Sequence, residues 1–143
     1  MRRLWEHEAR LPRPVCNRPV FNLHGHHLGT PDLLDPVAGV LGEYSGFHHF
    51  ERGQRARDVR REAAFREVGL ECVEMLAGDL RDPMDFLARL RQAYTRAARH
   101  PVSDRRWTIQ PPPWWVPTLT VAQRRALTPD ERRRLLSHRI RAA

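Results

Sequence analysis

Two acidic residues in the first third of the chain, Asp32 and Glu43, have the type and spacing to bind a divalent cation together. They belong to two apolar segments, Thr30–Leu34 and Val40–Tyr44, and the residues between these segments include proline and glycine, which favour turns. We therefore predict a β-hairpin. A four-residue loop in that hairpin places Asp32 directly opposite Glu43.

Opposed side chains on one face of a hairpin have Cβ atoms about 4.5–5.5 Å apart, so these two carboxylates would repel each other. A divalent cation such as Mg²⁺ removes the repulsion, because it binds one or two carboxylates together with water and phosphate oxygens. Ser45 lies two residues beyond Glu43 and is expected on the same face. A register shift of one residue would instead separate the acids, leaving Asp32 as a turn cap and Glu43 as an exposed strand residue.

The order of motifs along the chain resembles that of a nuclease superfamily. Pro31-Asp32 followed by Glu43-Tyr44-Ser45 resembles the PD-(D/E)xK signature of restriction-endonuclease-like enzymes. Over about residues 12–100 the chain is more closely similar to a family of uncharacterised actinobacterial proteins related to the very-short-patch mismatch-repair endonucleases. The matching segments are, in order, Gly29–Pro36, Gly42–Gly46, His49, Arg57–Glu62 and Gly69–Leu70, with Trp107–Trp115 similar to the family's C-terminal extension.

This resemblance implies an α/β (α+β) fold with a small mixed central sheet flanked by helices, and it implies hydrolysis of a DNA phosphodiester. Asp32 and Glu43 would bind Mg²⁺ or Mn²⁺, which positions a water molecule and stabilises charge on the phosphate. His49 matches the family's histidine and would shuttle a proton or act beside the metal. Asp58 would support the site or cap the helix that follows.

Position 45 departs from this family. Its members usually have Glu-Tyr-Asp-Gly where this chain has Glu43-Tyr44-Ser45-Gly46, and serine supplies neither the negative charge nor a strong metal ligand. We therefore expect either a DNA endonuclease weakened or inactivated by Ser45, or a non-catalytic nucleic-acid-binding module that keeps the nuclease fold. A structural remnant or partner-binding domain with no role on nucleic acid is the third alternative.

The basic residues favour an anionic partner. The chain has 25 arginines, no lysine and a net charge of +8, and the arginine fork donates two parallel hydrogen bonds to phosphate. Four arginines beyond the predicted hairpin would contact a DNA backbone: Arg52, Arg55, Arg57 and Arg61. A solvent-exposed helix face, stabilised by pairs such as Glu62 with Arg66, is the alternative explanation of the same residues.

Five histidines in two short segments offer an alternative metal site. They are His24, His26, His27, His48 and His49. These side chains would bind Zn²⁺ or Ni²⁺ if the two segments converge. Otherwise the first three are expected to be exposed loop residues.

Composition predicts a cytoplasmic protein without a membrane partner. No apolar stretch is long enough to cross a bilayer, and the N-terminus is charged where a signal peptide would be apolar. Cys16 and Cys72 match no metal or redox spacing, so we expect two free thiols.

The predicted core contains two long helices. The first spans 54–68 and ends before Gly69, and its apolar residues are spread around the helix, which predicts packing on more than one side. A strand is predicted over 71–76. Asp82 is the predicted N-cap of the second helix. The apolar face of that helix is formed by Leu87, Leu90, Tyr94 and Ala97.

We divide the chain into three regions. Residues 1–14 contain the end of a helix, 15–100 form the endonuclease-like core, and 101–143 form a C-terminal extension. The extension begins with a proline-rich extended segment and continues with two short helices, which Thr120 and Thr128 begin.

The extension also contains three of the four tryptophans, Trp107, Trp114 and Trp115. Such side chains either fasten an extended tail to the domain or stack on nucleic-acid bases. We expect the first role.

Overall fold

The computed structural model describes residues 1–46 and 52–140, and the side chains of all of these except 52–57 and 137–140. The chain divides into two compact units, Met1–Pro111 and Pro112–Ala143. The strands are β1 (Val15–Cys16), β2 (Val20–Asn22), β3 (His27–Gly29), β4 (Leu33–Asp35), β5 (Val40–Ser45), β6 (Glu71–Leu76) and β7 (Trp107–Thr108). The helices are α1 (Arg52–Glu67), α2 (Met84–Ala97), α3 (Val121–Ala126) and α4 (Pro129–Ile140), with shorter helical turns at Leu4–Glu8, Ala77–Leu80 and Val102–Asp104.

The first unit contains a mixed four-stranded sheet in the order β1-β4-β5-β6. The pairs β1–β4 and β4–β5 are antiparallel, whereas β5 and β6 are parallel and are connected through α1. This confirms the predicted mixed α/β architecture. A second, antiparallel sheet in the order β3-β2-β7 was not predicted, because its strands are only two or three residues long and β7 comes from far along the chain.

The hairpin between β4 and β5 has the predicted register. Leu34 pairs with Leu41 and Asp35 with Val40. The turn closes where Gly39, at φ +76°, donates its N–H to the carbonyl oxygen of Asp35 at 2.9 Å. A positive φ of this size is unfavourable for residues with a Cβ, so glycine is required at this position.

The two faces of the mixed sheet belong to two hydrophobic clusters. On one face, Leu33, Val40, Val73 and Met75 pack with Trp5 and the buried side of α2. The other face contributes Leu34 and Leu41, which pack with Phe65 and Val68 of α1 and with residues of the second sheet. Successive strand residues alternate between the faces, so α1 and α2 cover opposite sides of one sheet.

The main helices differ from prediction in two details. α1 buries Phe65 and Val68 and contacts both β6 and β3, so it packs against two sheets, but it leaves Val59 59% exposed. α2 begins at Met84 with Pro83 at the N-cap position, one residue later than predicted, and Asp82 Oδ1 accepts a hydrogen bond from the Met84 N–H at 3.1 Å.

The second unit contains the two short helices that the capping motifs predict. Thr120 and Gln123 exchange hydrogen bonds between side chain and backbone at the start of α3, and Thr128 and Glu131 do the same at α4.

No helix in the described ranges is long and apolar enough to span a membrane.

A buried carboxylate connects the hairpin to the rest of the first unit. Asp35 is 2% exposed, and its Oδ1 accepts hydrogen bonds from the N–H groups of Val37 and Ala38. Its Oδ2 accepts one from the Tyr94 hydroxyl at 2.7 Å, and that hydroxyl in turn accepts one from Trp5 Nε1 at 3.1 Å. The turn, α2 and the N-terminal helical turn are thus joined by one network.

Replacing Tyr94 by Phe should lower the free energy of unfolding by about 2 kcal/mol, because it leaves a carboxylate oxygen and an indole N–H without their partner. Urea denaturation followed by circular dichroism measures this change. Tyr44→Phe is the matched control: its side chain is 44% exposed, so the loss should stay below about 0.5 kcal/mol. Equal losses in the two variants would contradict a stabilising role of the network.

Candidate functional site

Glu43 lies on β5, on the sheet face that α1 covers. With Leu41 and Ser45 it lines a cavity of about 360 Å³ between β5, β6 and α1. The other lining residues include three further acids, Asp58, Glu62 and Glu74. In the parallel pairing of β5 with β6, Glu43 lies directly beside Glu74.

Asp32 lies at the end of the hairpin beside Glu43. It is exposed and directly precedes β4, one residue beyond the pair formed by Leu33 and Gly42. Its Oδ2 accepts a hydrogen bond from the Tyr44 N–H at 2.9 Å. The predicted register is kept, and the Asp32 carboxylate caps a backbone N–H next to the strand position of Glu43.

Arg61 of α1 neutralises this acidic group. Its Nη2 lies 2.7 Å from Glu43 Oε2 and 3.3 Å from Asp58 Oδ1. Its Nε is buried and finds no hydrogen-bond partner in the described parts of the chain. Arg61 is one of the arginines predicted to contact DNA phosphate, and in this structure its guanidinium binds the carboxylates of the candidate site.

Gly29 allows Arg61 and α1 to approach the sheets so closely. A Cβ at this position would lie 2.6 Å from Phe65 Cζ and 3.0 Å from Arg61 Cδ. The first distance is shorter than any van der Waals contact. Any larger residue at position 29 would therefore force the side chains of Phe65 and Arg61 to shift.

The electrostatic environment of Glu43 is unusual for a strand glutamate. Burial is the largest effect and raises its pKa, whereas the charge and the hydrogen bond of Arg61 lower it, and the net result is a raised pKa. The negative charges of Asp32 and Asp58 raise the pKa further. The charged form of Glu43 is thus less favourable in the folded protein than in water, and a further positive charge would stabilise it.

The donor set fits a hard cation only in part. Two carboxylates are enough for Mg²⁺ or Mn²⁺, which complete their coordination with water and phosphate oxygens. Glu43 Oε1 and Asp32 Oδ1 accept no hydrogen bond from a described side chain or backbone group. However, no group of three or more His, Cys, Asp or Glu side chains in the described ranges is arranged to hold a metal ion.

The structure shows where the side chains of Asp58 and Ser45 lie at the candidate site. Asp58 lies inside α1, which begins at Arg52, so it does not cap the helix; it is an ion-pair partner of Arg61. Ser45 is half-buried in the cavity lining and pairs with Leu76 of β6.

The predicted surface pair of Glu62 with Arg66 is confirmed at 2.6 Å.

The sequence did not indicate that Glu74 and Glu62 would join this cavity. Their place depends on the parallel pairing of β5 with β6 and on the rotation of α1 about its axis. Cys72 lines the same cavity, and burial raises the pKa of its thiol to about 12. A thiol that holds its proton this firmly is a poor nucleophile at neutral pH.

Several predicted residues lie outside what the structure describes. His48 and His49 fall in the segment 47–51, and only the backbone is described for Arg52, Arg55 and Arg57. The other three predicted histidines lie at the tip of the β2–β3 connection: His24, His26 and His27.

That connection brings only two of the three imidazoles near each other. The ring centroids of His24 and His26 are 6.5 Å apart. His27 Nε2 lies 3.0 Å from Thr30 Oγ1, and burial lowers the pKa of His27.

Of the three tryptophans in the extension, Trp107 has the predicted fastening role. It is 8% exposed, lies on β7 and packs into the cluster beneath α1. Trp114, in contrast, is 60% exposed.

No protein-family model, curated protein or solved structure matches the chain. The candidate site is therefore defined by the residues of this chain alone.

The raised pKa of Glu43 should make the free energy of unfolding depend on pH. A carboxyl whose pKa is raised by folding binds its proton more tightly in the native state, so the native state loses stability as pH rises from the ordinary glutamate pKa through the raised one. Urea midpoints of the metal-free protein between about pH 4 and about pH 7 should fall relative to those of Glu43→Gln. Ser45→Ala, which keeps the carboxyl, should follow the wild type, and parallel curves for wild type and Glu43→Gln would contradict the inference.

Proposed function

We propose that the chain is a metal-dependent DNA endonuclease with a restriction-endonuclease-like fold, in which Ser45 lowers the activity. One observation supports this most directly: the hairpin brings Asp32 and Glu43 to one end of the sheet, where the Asp32 carboxylate hydrogen-bonds the backbone of the residue next to Glu43. A carboxylate pair is a sufficient protein ligand set for Mg²⁺ at a site where phosphate oxygens complete the coordination.

The residues of the chain would divide the work as follows. Asp32 and Glu43 would hold Mg²⁺ or Mn²⁺ through Oδ1 and Oε1. When bound, the ion would supply positive charge to the phosphate and acidify a water molecule. Asp58 offers Arg61 a second carboxylate, so that the guanidinium can leave Glu43 without losing every ion pair. The proton-shuttle role of His49 remains a prediction.

The order of elements also supports the nuclease proposal. A hairpin bearing the acid pair is followed by a long helix and by a strand parallel to the second hairpin strand. The product is a mixed sheet with helices on both faces, which is what the resemblance to PD-(D/E)xK nucleases implies. The phosphate contacts proposed for Arg52, Arg55 and Arg57 would come from the first turns of α1.

A non-catalytic nucleic-acid-binding module is the second candidate, and the Arg61–Glu43 ion pair favours it. A guanidinium already supplies the positive charge that the acids need, and Ser45 contributes no negative charge. In this alternative the acid pair is a remnant that Arg61 has neutralised. Metal-dependent cleavage separates the two candidates.

The deciding experiment is nicking of supercoiled plasmid by the full chain with Mg²⁺ or Mn²⁺. We expect slow nicking that falls to the level of the buffer blank in Asp32→Ala and in Glu43→Ala, and that becomes severalfold faster in Ser45→Asp, because the restored acid strengthens the ligand set. Asp85→Asn removes an exposed carboxylate from the first turn of α2 and should change nothing. The endonuclease proposal fails if none of these proteins, Ser45→Asp included, nicks the plasmid.

Arg61 should compete with the metal. In Arg61→Gln, Mn²⁺ should bind about tenfold more tightly, because a charge only a few ångströms from the ligands is removed. The free Mn²⁺ signal in electron paramagnetic resonance measures this affinity. Arg60→Gln makes the same change one residue earlier, at an exposed position, and should leave the affinity near that of the wild type. Equal affinities in the two variants would show that Arg61 does not compete for the site.

A further inference from the structure

The second compact unit, Pro112–Ala143, has two capped helices but no core within its described side chains. None of these side chains, 112–136, is buried. Val121, Leu135 and Leu136 are 54%, 41% and 55% exposed. Short helices gain most of their stability from burying an apolar face. The apolar side chains of α3 and α4 obtain little of that burial inside the unit.

These apolar side chains line a groove between α3 and α4. Val121 is the first residue of α3 and Leu127 is its C-cap, whereas Leu135 and Leu136 belong to α4. The groove has a volume of about 670 Å³, within the range of about 300–1,000 Å³ that is typical of ligand pockets. It therefore has room for several apolar side chains of a partner.

Arginines share the helix faces that line the groove. On α3, Arg124 and Arg125 follow Val121 by three and four residues. On α4, the two leucines follow Arg132 by the same intervals. Residues three and four apart lie on the same face of a helix, and all three arginines belong to the groove lining. Each wall of the groove thus presents guanidinium groups beside apolar side chains.

The groove arginines bond to neutral oxygens. Arg124 Nη1 donates to the carbonyl oxygens of Thr118 and Leu119, and Arg132 Nη2 donates to that of Arg125. These hydrogen bonds position the side chains. They do not cancel the charge of either guanidinium, because a carbonyl oxygen carries no formal charge.

The two acids of the unit do not line the groove. Asp130 pairs with Arg133, and Glu131 accepts hydrogen bonds from Thr128 and interacts with the charge of Arg134. The groove therefore contains three arginine charges that no described carboxylate of the unit neutralises.

We propose that the α3–α4 groove binds an amphipathic helix of a partner protein. Its apolar face enters the groove, and its carboxylates pair with Arg124, Arg125 and Arg132. Helices that bind grooves in this way have apolar anchors at positions i, i+3 or i+4, and i+7. Carboxylates beside those anchors complement the arginine charges on the walls. The groove shares no residue with the candidate metal site, so this interaction goes beyond the proposed nuclease activity and does not depend on it.

The position of Arg132 favours a protein helix over a lipid surface. An amphipathic helix that lies on a membrane has its charged side chains on the face opposite its apolar side chains. At about 100° per residue, Arg132 falls between Leu135 and Leu136 around the axis of α4. A bilayer that received the two leucines would also have to accept this charge, whereas a partner helix can offer it a carboxylate.

Nucleic acid and a second copy of the chain fit the groove less well. Nucleic-acid affinity comes largely from phosphate contacts, and the four apolar side chains of the lining provide none. A second copy would bring another unit with seven arginines and two acids, so like charges would oppose the contact.

The test selects helical peptides from a displayed library with the full chain as the target. The peptides have about 14 residues, an ordinary helix length, and carry Ala, Leu, Gln, Glu or Lys at every position. We expect the enriched sequences to have leucine at i, i+3 or i+4, and i+7, with glutamate in excess over lysine. An excess of lysine, or no enrichment of any amphipathic pattern, would overturn the proposal.

Variants of the full chain locate the binding site of the enriched consensus peptide. In Leu135→Gln/Leu136→Gln its affinity, measured by fluorescence anisotropy, should fall about tenfold or more, because two apolar contacts are lost. Val121→Gln should also weaken binding, so the result does not depend on α4 alone. Leu23→Gln/Leu80→Gln is the matched control: it changes leucines of the first unit that are 65% and 62% exposed and should bind within about twofold of the wild type. Equal weakening in the two double variants would place the peptide outside the groove.

Arg125 tests the contribution of charge. Its guanidinium donates no hydrogen bond within the described residues, so Arg125→Gln leaves the contacts of the α3–α4 connection in place. Binding of the consensus peptide should weaken about threefold at low salt, and less in about 1 M salt, where the screening length is about 3 Å. Arg99→Gln removes an exposed arginine of the first unit and should have little effect. Equal effects of the two changes would mean that only the net charge matters.

Three results would assign the groove to another occupant and so overturn the proposal. The first is sedimentation of the wild type with phosphatidylserine vesicles that Leu135→Gln/Leu136→Gln abolishes. The second is a concentration-dependent dimer that the same variant abolishes. The third is displacement of the consensus peptide by unlabelled duplex DNA as effectively as by unlabelled peptide. None of these measurements involves a divalent metal, so they leave the outcome of the plasmid-nicking experiment independent.

Discussion

The carboxylate of Asp35 is the constraint on which the first unit depends. A buried negative charge is tolerated only when every lone pair that faces the interior has a donor. Here the donors come from the turn itself and from Tyr94 of α2, and Tyr94 is oriented by Trp5. The β4–β5 hairpin therefore cannot move relative to α2 without depriving Asp35 Oδ2 of the hydrogen bond from Tyr94. Since Asp32 and Glu43 lie at the far end of the same hairpin, the geometry of the candidate site depends on this network.

At the other end of the hairpin, the negative charge of Glu43 is stabilised by an arginine. Glu43 is partly buried, and Asp32 and Asp58 add like charge, which together raise its pKa. Arg61 compensates through one short ion pair, and it can do so only because Gly29 leaves room for α1 to approach. The site thus has an internal cation in place, and any external cation must displace it. The endonuclease and the binding-module interpretations therefore both begin from the ion pair between Arg61 and Glu43.

The sequence predicted the local elements well and their assembly less well. The hairpin register, the extent of α1 and β6, and the caps of α3 and α4 follow from turn residues, alternation and capping side chains, which act over a few residues. Three features depended on long-range packing and could not be predicted: the β2–β7 pairing, the contact of Tyr94 with Asp35, and the turning of Arg61 towards Glu43. No spacing rule relates residues that meet only after α1 has packed on the sheets. Trp107 and Trp114 show the same limit, because nothing in the local sequence indicates which of the two indoles is buried.

The parallel pairing of β5 with β6 has a consequence for how the site comes into being. Asp32 and Glu43 are neighbours across a hairpin, a contact that closes a short loop and forms early in folding. Glu74 reaches the same cavity only when the chain has built α1 and returned to lay β6 beside β5, a closure with a larger entropic cost. The cavity therefore forms only after β6 has been synthesised and has paired with β5, whereas the hairpin that carries Asp32 and Glu43 is a local element. Formation of the acid pair and its enclosure in the cavity are thus separate steps in the folding of this chain.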